Sequence, residues 1–359
     1  DATRVNKDGL IESVVANQAR LNYDPTNPQD PHLLLEPERI NRVFPNNTLS
    51  GYSTLNATVS NNNSTSPDGA SNASLITSGS GGTTIGIFKG FSGASASVTH
   101  NISVFLKKGT YDRIKVQEGF ASANMVVDLS NGTEVSSQNA TNKKIEAYPN
   151  DWFRISFNFT SASSGNLQFS LFVDGTTSTG ITFYAFGGQI EEGSYATSLI
   201  PTSGSAVTRT ADTCDKSSVA SGIIGQTEGV IFLDFENYGQ IGTSYGNHFK
   251  IESAGNNDRV AIQSDATSLN RLILVINDGS STFFQPREDI SLGRNKIAIK
   301  YKSGDIDAYI NGVKEQVSTT SFSFANTLNK IYIGQPNKVY QAMVFNEALT
   351  DAELQTLTS

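Results

Sequence analysis

The chain has 359 residues, room for two domains of ordinary size, and a formal net charge of −8. Charged residues make up only 17%, and Ser, Thr, Asn and 31 Gly take their place, a balance that weakens helices and suits short strands joined by turns. No basic run tracks a phosphate backbone and no stretch approaches about 18 consecutive apolar residues, so the sequence points away from nucleic acid and from membrane insertion.

In chain order, residues 1–45 come first. They hold Pro25, Pro28, Pro31, Pro37 and Pro45 and short apolar pieces such as Leu33-Leu34-Leu35, which predicts an extended N-terminal arm with short edge strands. The opening residues carry no apolar signal-peptide core and no initial Met, so further residues are expected before Asp1. Residues 46–201 show period-two alternation. Ile102, Val104 and Leu106 share a face; so do Phe153, Ile155, Phe157 and Phe159, and again Leu167, Phe169, Leu171 and Val173. Residues 202–222 are small and polar, a predicted connector. Residues 223–359 repeat the strand pattern through Ile297, Ile299, Tyr301, Ile306, Ala308, Ile310, Ile331 and Ile333. Asn131-Gly132, Asp174-Gly175, Asp278-Gly279, Ser303-Gly304 and Asn311-Gly312 read as hairpin signals. One helix is expected, where Thr350-Asp351-Ala352-Glu353 forms a capping box ahead of Leu354 and Leu357. The expectation is an all-β chain: the arm, a sandwich over 46–201, the connector, and a second sandwich over 223–359.

The lone Cys214 allows no intrachain disulfide, and His32, His100 and His248 are too scattered for a metal site. Asn-x-Ser/Thr triplets at Asn56, Asn72, Asn101, Asn139 and Asn158 follow from composition, and Asn158 sits within an apolar strand pattern, awkward for a glycan. Folding in a bacterial cytoplasm and release by lysis fits these facts.

Three motifs carry a resemblance. TRVNKDGLIESV (3–14) with LLLEPERIN (33–41) resembles the N-terminal signature of a group of phage tail-fibre and related virion proteins, with Ile40 where Thr is usual. DWFRISFNF (151–159) with FYAFGGQIEEGSYATSLIPTSGSAVTRTAD (183–212) resembles the end of the carbohydrate-binding-module-like jelly roll in the same proteins. IDAYINGVKEQ (306–316), LNKIYIGQP (328–336) and AMVFNEALTDAELQTL (342–357) are similar to the closing strands and helix of concanavalin A-like, laminin G-like domains. The resemblance implies a homotrimeric virion-surface protein, a tail fibre or tail tip, that partners other virion proteins and binds bacterial surface glycans. A capsid-decoration or head-fibre protein without glycan specificity is the alternative. A glycoside hydrolase on a concanavalin A-like fold is the second.

Hydrolysis would need two carboxylates about 5–10 Å apart. Asp234 with Glu236, and Asp305 with Asp307, share strand faces, and Glu228 lies further up the first strand, but no Glu-x-Asp-x-x-Glu pattern occurs; no catalytic residue is assigned. The glycines of residues 79–90 lack a Gly-Lys-Ser/Thr ending and read as a turn-rich loop. For sugar, alternation puts Trp152 and Arg154 opposite the apolar face of their strand, and Gln168 and Phe172 on the non-core face of theirs. These four are the candidate carbohydrate site, a ring to stack and polar groups to bond hydroxyls. A Trp at a strand start also packs under loops. Calcium is the one cofactor considered, with Asn257, Asp258 and Asp278 as loop oxygen ligands, although such residues also serve turns.

Overall fold

A strand with one apolar face can bury it only against a second layer. The computed structural model describes residues 2–80, 82–162, 164–237, 246–255, 257–268, 270–334 and 338–359. Its contacts divide into two units, residues 1–31 with 38–210 and residues 32–37 with 211–359. Each is built on a pair of large antiparallel sheets, with two two-stranded ribbons added in the first, and among the described residues Asp351–Thr358 is the only helix. The protein is all-β, as its composition predicts.

In the first unit one sheet runs, in spatial order, Thr141–Tyr148, Trp152–Thr160, Thr99–Lys108, Thr182–Glu192, Ala73–Ser78 and Ala57–Ser64. The other runs Thr133–Gln138, Ala123–Asp128, Arg113–Glu118, Gly165–Val173, Gly86–Ala94 and Ser53–Leu55. Between them lie Ile102, Val104, Leu106, Ile155, Phe157, Phe159, Leu167, Phe169 and Leu171, residues the alternation selects, while Phe153 and Val173, selected with them, are only partly buried against this core. Residues 2–14 form a hairpin of Ala2–Val5 with Ile11–Val14 within this unit.

The arm and the connector are each divided between the units. Leu33 and Leu34 pair with Val339 and Lys338 in the second unit, and the Glu36 N–H donates to Asp212. Arg39–Asn41 pairs with Val207–Arg209 in the first. Cys214–Lys216 joins Leu328–Ile333 in the second. Pro31 and Pro37 bracket the segment that changes unit, since proline cannot continue a ladder.

The motifs of the first unit meet in one fastening. Gln189 accepts from Ile200 N (2.8 Å) and donates to Glu191 (2.7 Å), whose carboxylate also accepts from Thr197 N and Thr197 Oγ1 (2.7 and 2.6 Å). Asn41 donates to Gly188 O and Ile200 O, and Asn46 donates to Ile200 O. Gly187 takes φ +65°, a left-handed conformation, with Phe105 and Leu199 close against it. These buried side chains hold residues 197–202 onto the sheet, so the motif is legible as structure.

The second unit pairs the sheet Cys214–Lys216, Leu328–Ile333, Asn247–Ser253, Asp258–Ser264, Arg271–Asp278 and Thr282–Phe284 with the sheet Val313–Ser318, Ile306–Ile310, Gly293–Lys302, Glu228–Asn237, Lys338–Phe345 and His32–Leu34. Ile231, Leu233, Phe249, Ile251, Ile297 and Ile299 are among its fully buried core. Asn311 and Gly312 take φ 50° and 82° in a two-residue hairpin turn. Asp174-Gly175 is different: the strands on either side of it lie in different sheets, so it turns a corner rather than a hairpin. Gln335 and Pro336 of the third motif, and Gly81 of the glycine-rich loop, lie outside the described residues.

The closing helix has the expected capping box, with Thr350 accepting from the Glu353 N–H and Glu353 accepting from Thr350 N (2.8 Å). Leu354 is fully buried with Val230, Phe232, Ala298 and Tyr309, while Leu349 and Leu357 are partly buried beside them. The helix therefore covers part of the outward face of its sheet.

Candidate functional site

The four residues proposed for sugar do not form one site. Trp152 and Arg154 belong to one sheet of the first sandwich, Gln168 and Phe172 to the other. Each pair faces away from the shared core, so the pairs lie on opposite sides of the sandwich.

The Trp152 side is covered. Trp152 is 1% exposed, its indole donates to Thr65 O (3.1 Å), and it packs with Ile11, Ala73, Phe105, Phe186 and Leu199. Arg154 donates to Thr197 O (2.6 Å) and Ser103 Oγ (3.2 Å) and lies over the Phe105 ring. Asn158 donates to Ser194 O, and Asn101 to Asn158. The cover comes from the N-terminal hairpin and residues 194–200, tied together by Thr3 donating to Leu199 O and Arg20 donating to Thr3 O and Ser198. Trp152 and Arg154 are therefore packing residues, because a polar face under a loop satisfies the loop's carbonyls. Burial pushes the Glu191 carboxyl above the ordinary carboxylate range despite its hydrogen bonds from Thr197 and Gln189.

The other side presents two rows across the sheet. Pairing aligns Gln138, Asn124, Gln117, Ser170, Phe88 and Ser53 as one row. Ser136, Val126, Lys115, Phe172, Gly86 and Leu55 form the next. At a strand spacing of about 4.8 Å each row runs roughly 24 Å. Gln117, Asn124, Lys115, Gln168 and Phe88 are half-buried, and Gln138 and Ser136 are exposed. The amides bond sparingly and to neighbours on the same face: Asn124 to Gln138 at 3.5 Å, and Gln168 to Ser170 Oγ at 3.1 Å. At one end Phe120 is 51% exposed, on the turn where Gly119 N donates to Gln168 O. Phe172, proposed as a stacking ring, is only 8% exposed and lies 5.6 Å below the Lys115 ammonium. The accessible rings are Phe88 and Phe120. Sequence reading missed Phe88, Gln117 and Asn124, although alternation in Gly86–Ala94 and Arg113–Glu118 could have placed the first two outward.

The calcium candidates do not fit a cation. Asp258 is fully buried, and its oxygens accept from Ala325 N (2.6 Å), Asn326 N (3.1 Å) and Asn326 Nδ2 (2.7 Å). Asp278 accepts from Ser280 N and Ser281 N (2.9 and 2.6 Å), which closes its turn. Asn257 is exposed. The carboxylates face N–H donors and so serve loop geometry. Among the described residues no cluster of three or more His, Cys, Asp or Glu could hold a metal ion.

The carboxylate pairs considered for hydrolysis are neutralised. Asp234 takes both oxygens to Arg294 (2.8 and 2.8 Å), and Glu236 accepts from Tyr340 (3.1 Å). Asp305 and Asp307 both pair with Lys300, and Asp307 also with Lys314 (3.0 Å). Burial opposes the Lys300 charge, and its hydrogen bonds to Asp305 and Asp307 outweigh this, raising its pKa. Glu228 pairs with Lys302 at 2.7 Å.

No protein-family model matches the sequence, and no curated protein matches it. Among solved structures the chain is similar to the CBM40 of the Ruminococcus gnavus IT-sialidase bound to α2,3 sialyllactose, at 13% identity over 38% of this chain and 84% of that one, TM-score 0.31. It is similar to domain 4 of a GH43 extracellular arabinanase from Geobacillus stearothermophilus in complex with arabinotriose, at 16% identity over 44% of this chain and 74% of that one, TM-score 0.32. It is also similar to domains LG4-5 of the mouse laminin alpha1 chain, at 11% identity over 70% of this chain and 82% of that one, TM-score 0.24. At such scores the fold and the site rest on the strands and side chains described above.

Proposed function

We propose that the chain is a non-enzymatic virion-surface protein, a component of a phage tail fibre or tail tip, that binds bacterial surface glycans through the open face of its first sandwich. One observation carries the glycan part: the row Gln138, Asn124, Gln117 and Phe88, joined through the fully buried Ser170, sets amides beside an aromatic ring, on a face that residues 2–25 leave uncovered. Amides bond sugar hydroxyls in both directions, and a ring packs against the apolar face of a pyranose. The virion part is supported by the first two sequence motifs, residues 3–14 with 33–41 and residues 151–159 with 183–212. The non-enzymatic part is supported by the Arg and Lys partners of the strand-face carboxylates, which leave no free acid and base pair among those considered.

The test is an array of bacterial surface glycans probed with the full chain and with a Phe88→Ala/Gln117→Ala variant. The expected result is binding by the parent and at least a tenfold loss in the variant. No binding by the parent would overturn the glycan reading and leave the architectural alternative. Imaging the protein in a particle separates tail from capsid lattice, and light scattering tests the proposed homotrimer, which a monodisperse monomer would remove.

A further inference from the structure

Lys115 stands in the middle of the open face. Its cross-strand neighbours are Phe172 and Val126, both buried and apolar. Along its own strand the outward neighbours are Gln117 and Arg113, and Arg113 is matched by Asp174 at 3.0 Å. The other carboxylates around this sheet are engaged as well: Glu118 accepts from Ala121 N and Gln168 N, Asp128 from Ser130, and Glu134 from Lys143. Among the described residues no carboxylate pairs with Lys115. Its ammonium is instead held over the Phe172 ring at 5.6 Å, which fixes a cation at the surface of a chain whose net charge is −8. A half-buried, unmatched ammonium beside a row of amides is what an anionic ligand group needs, because a charge-assisted hydrogen bond is stronger than a neutral one.

We infer that the face selects acidic saccharides, with a carboxylate or sulfate meeting Lys115 while neutral hydroxyls meet Gln117, Asn124 and Gln168. Phe172 then acts by holding the lysine stem, and Phe88 supplies the ring for the sugar. The inference rests on the glycan reading of this face and goes beyond it to the class of sugar.

The experiment compares the full chain with Lys115→Gln on matched probes: oligogalacturonate against galacto-oligosaccharide for the carboxylate, and dextran sulfate against dextran for the sulfate. The parent should bind at least one acidic probe about tenfold or more tightly than its neutral match, with a preference that shrinks as salt rises. Lys115→Gln should lose the preference, keep residual neutral binding, and melt close to the parent, since no ion pair is removed and only one surface cation–π contact is lost. Equal binding of acidic and neutral probes by the parent, or a preference that survives in Lys115→Gln, overturns the inference and leaves the glycan reading standing. Failure of the parent to bind any saccharide overturns both. Loss of all binding in Phe88→Ala/Gln117→Ala with an unchanged preference in Lys115→Gln keeps the face and rejects Lys115 as the group that meets the acid.

Discussion

The two outward faces of the first sandwich carry the same chemistry and have different fates. Each holds amides, a cation and aromatic rings. On one, Arg154 and Asn158 bond to Thr197 O and Ser194 O, and Trp152 is sealed beside Ile11 and Leu199. On the other, Gln117, Asn124 and Phe88 stay half-exposed, and among the described residues no carboxylate pairs with Lys115. Alternation assigns both faces equally well to the outside of the sandwich; what separates them is a cover delivered from residues far away in the chain. The outward face of Glu228–Asn237 in the second unit shows the same principle, since the closing helix covers Val230 and Phe232 and leaves Asp234 to Arg294.

The largest expected effect contrasts the two rings. Trp152→Ala should destabilise the first unit by about 3–5 kcal/mol, as for a large side chain lost from a packed interior. Phe88→Ala should cost no more than about 1–2 kcal/mol, because only part of the ring is removed from water. Chemical denaturation measures both, and equal losses would erase the distinction between covered and open. In the second unit, Leu354→Ala should cost about 2–5 kcal/mol and Thr350→Ala about 0.5–2 kcal/mol. The reverse order would make the helix an exposed tail rather than a cover.

Much of this was legible in the sequence, and the missing part has a physical cause. The alternating residues 153–159 and 167–173 mark the core strands, and Thr350 with Glu353 marks the helix start, because both signals are local. The fate of Trp152 was not local: it depends on Ile11 and Leu199, and no periodicity reports such contacts. Gln168 and Phe172 were placed outward correctly, but joining them to Trp152 required sheet membership, and the row through Gln117 and Phe88 required register across neighbouring strands. Asp258 and Asp278 have the right chemistry for calcium; only the N–H groups of Ala325, Asn326, Ser280 and Ser281 reveal that their oxygens are already used.

Smaller effects sharpen the same contrast. Arg154→Met should cost about 1–3 kcal/mol by removing the short bond to Thr197 O under the cover and leaving it only the long one from Gln189, whereas Gln117→Ala should leave the stability within about 0.5 kcal/mol of the parent. Glu191 gives a pH signature of the covered face. Its carboxyl lies above the ordinary value of 4.5 in the folded protein, so its contribution is fully present below that value and is lost as pH rises through the raised one. Stability measured from pH 4.5 to 7 should fall in the parent relative to Glu191→Gln. A parallel course in the two proteins would place Glu191 in a more solvated setting than beneath the cover.

The central claim, that the open face and not the Trp152 face meets the ligand, is tested most directly by calorimetric titration of one glycan found on the array into three proteins: the parent, Phe88→Ala/Gln117→Ala, and Trp152→Phe. The double variant should bind at least tenfold more weakly than the parent, and Trp152→Phe should bind with unchanged affinity. Intact binding by the double variant together with weakened binding by Trp152→Phe would contradict the claim and return the ligand to the covered side.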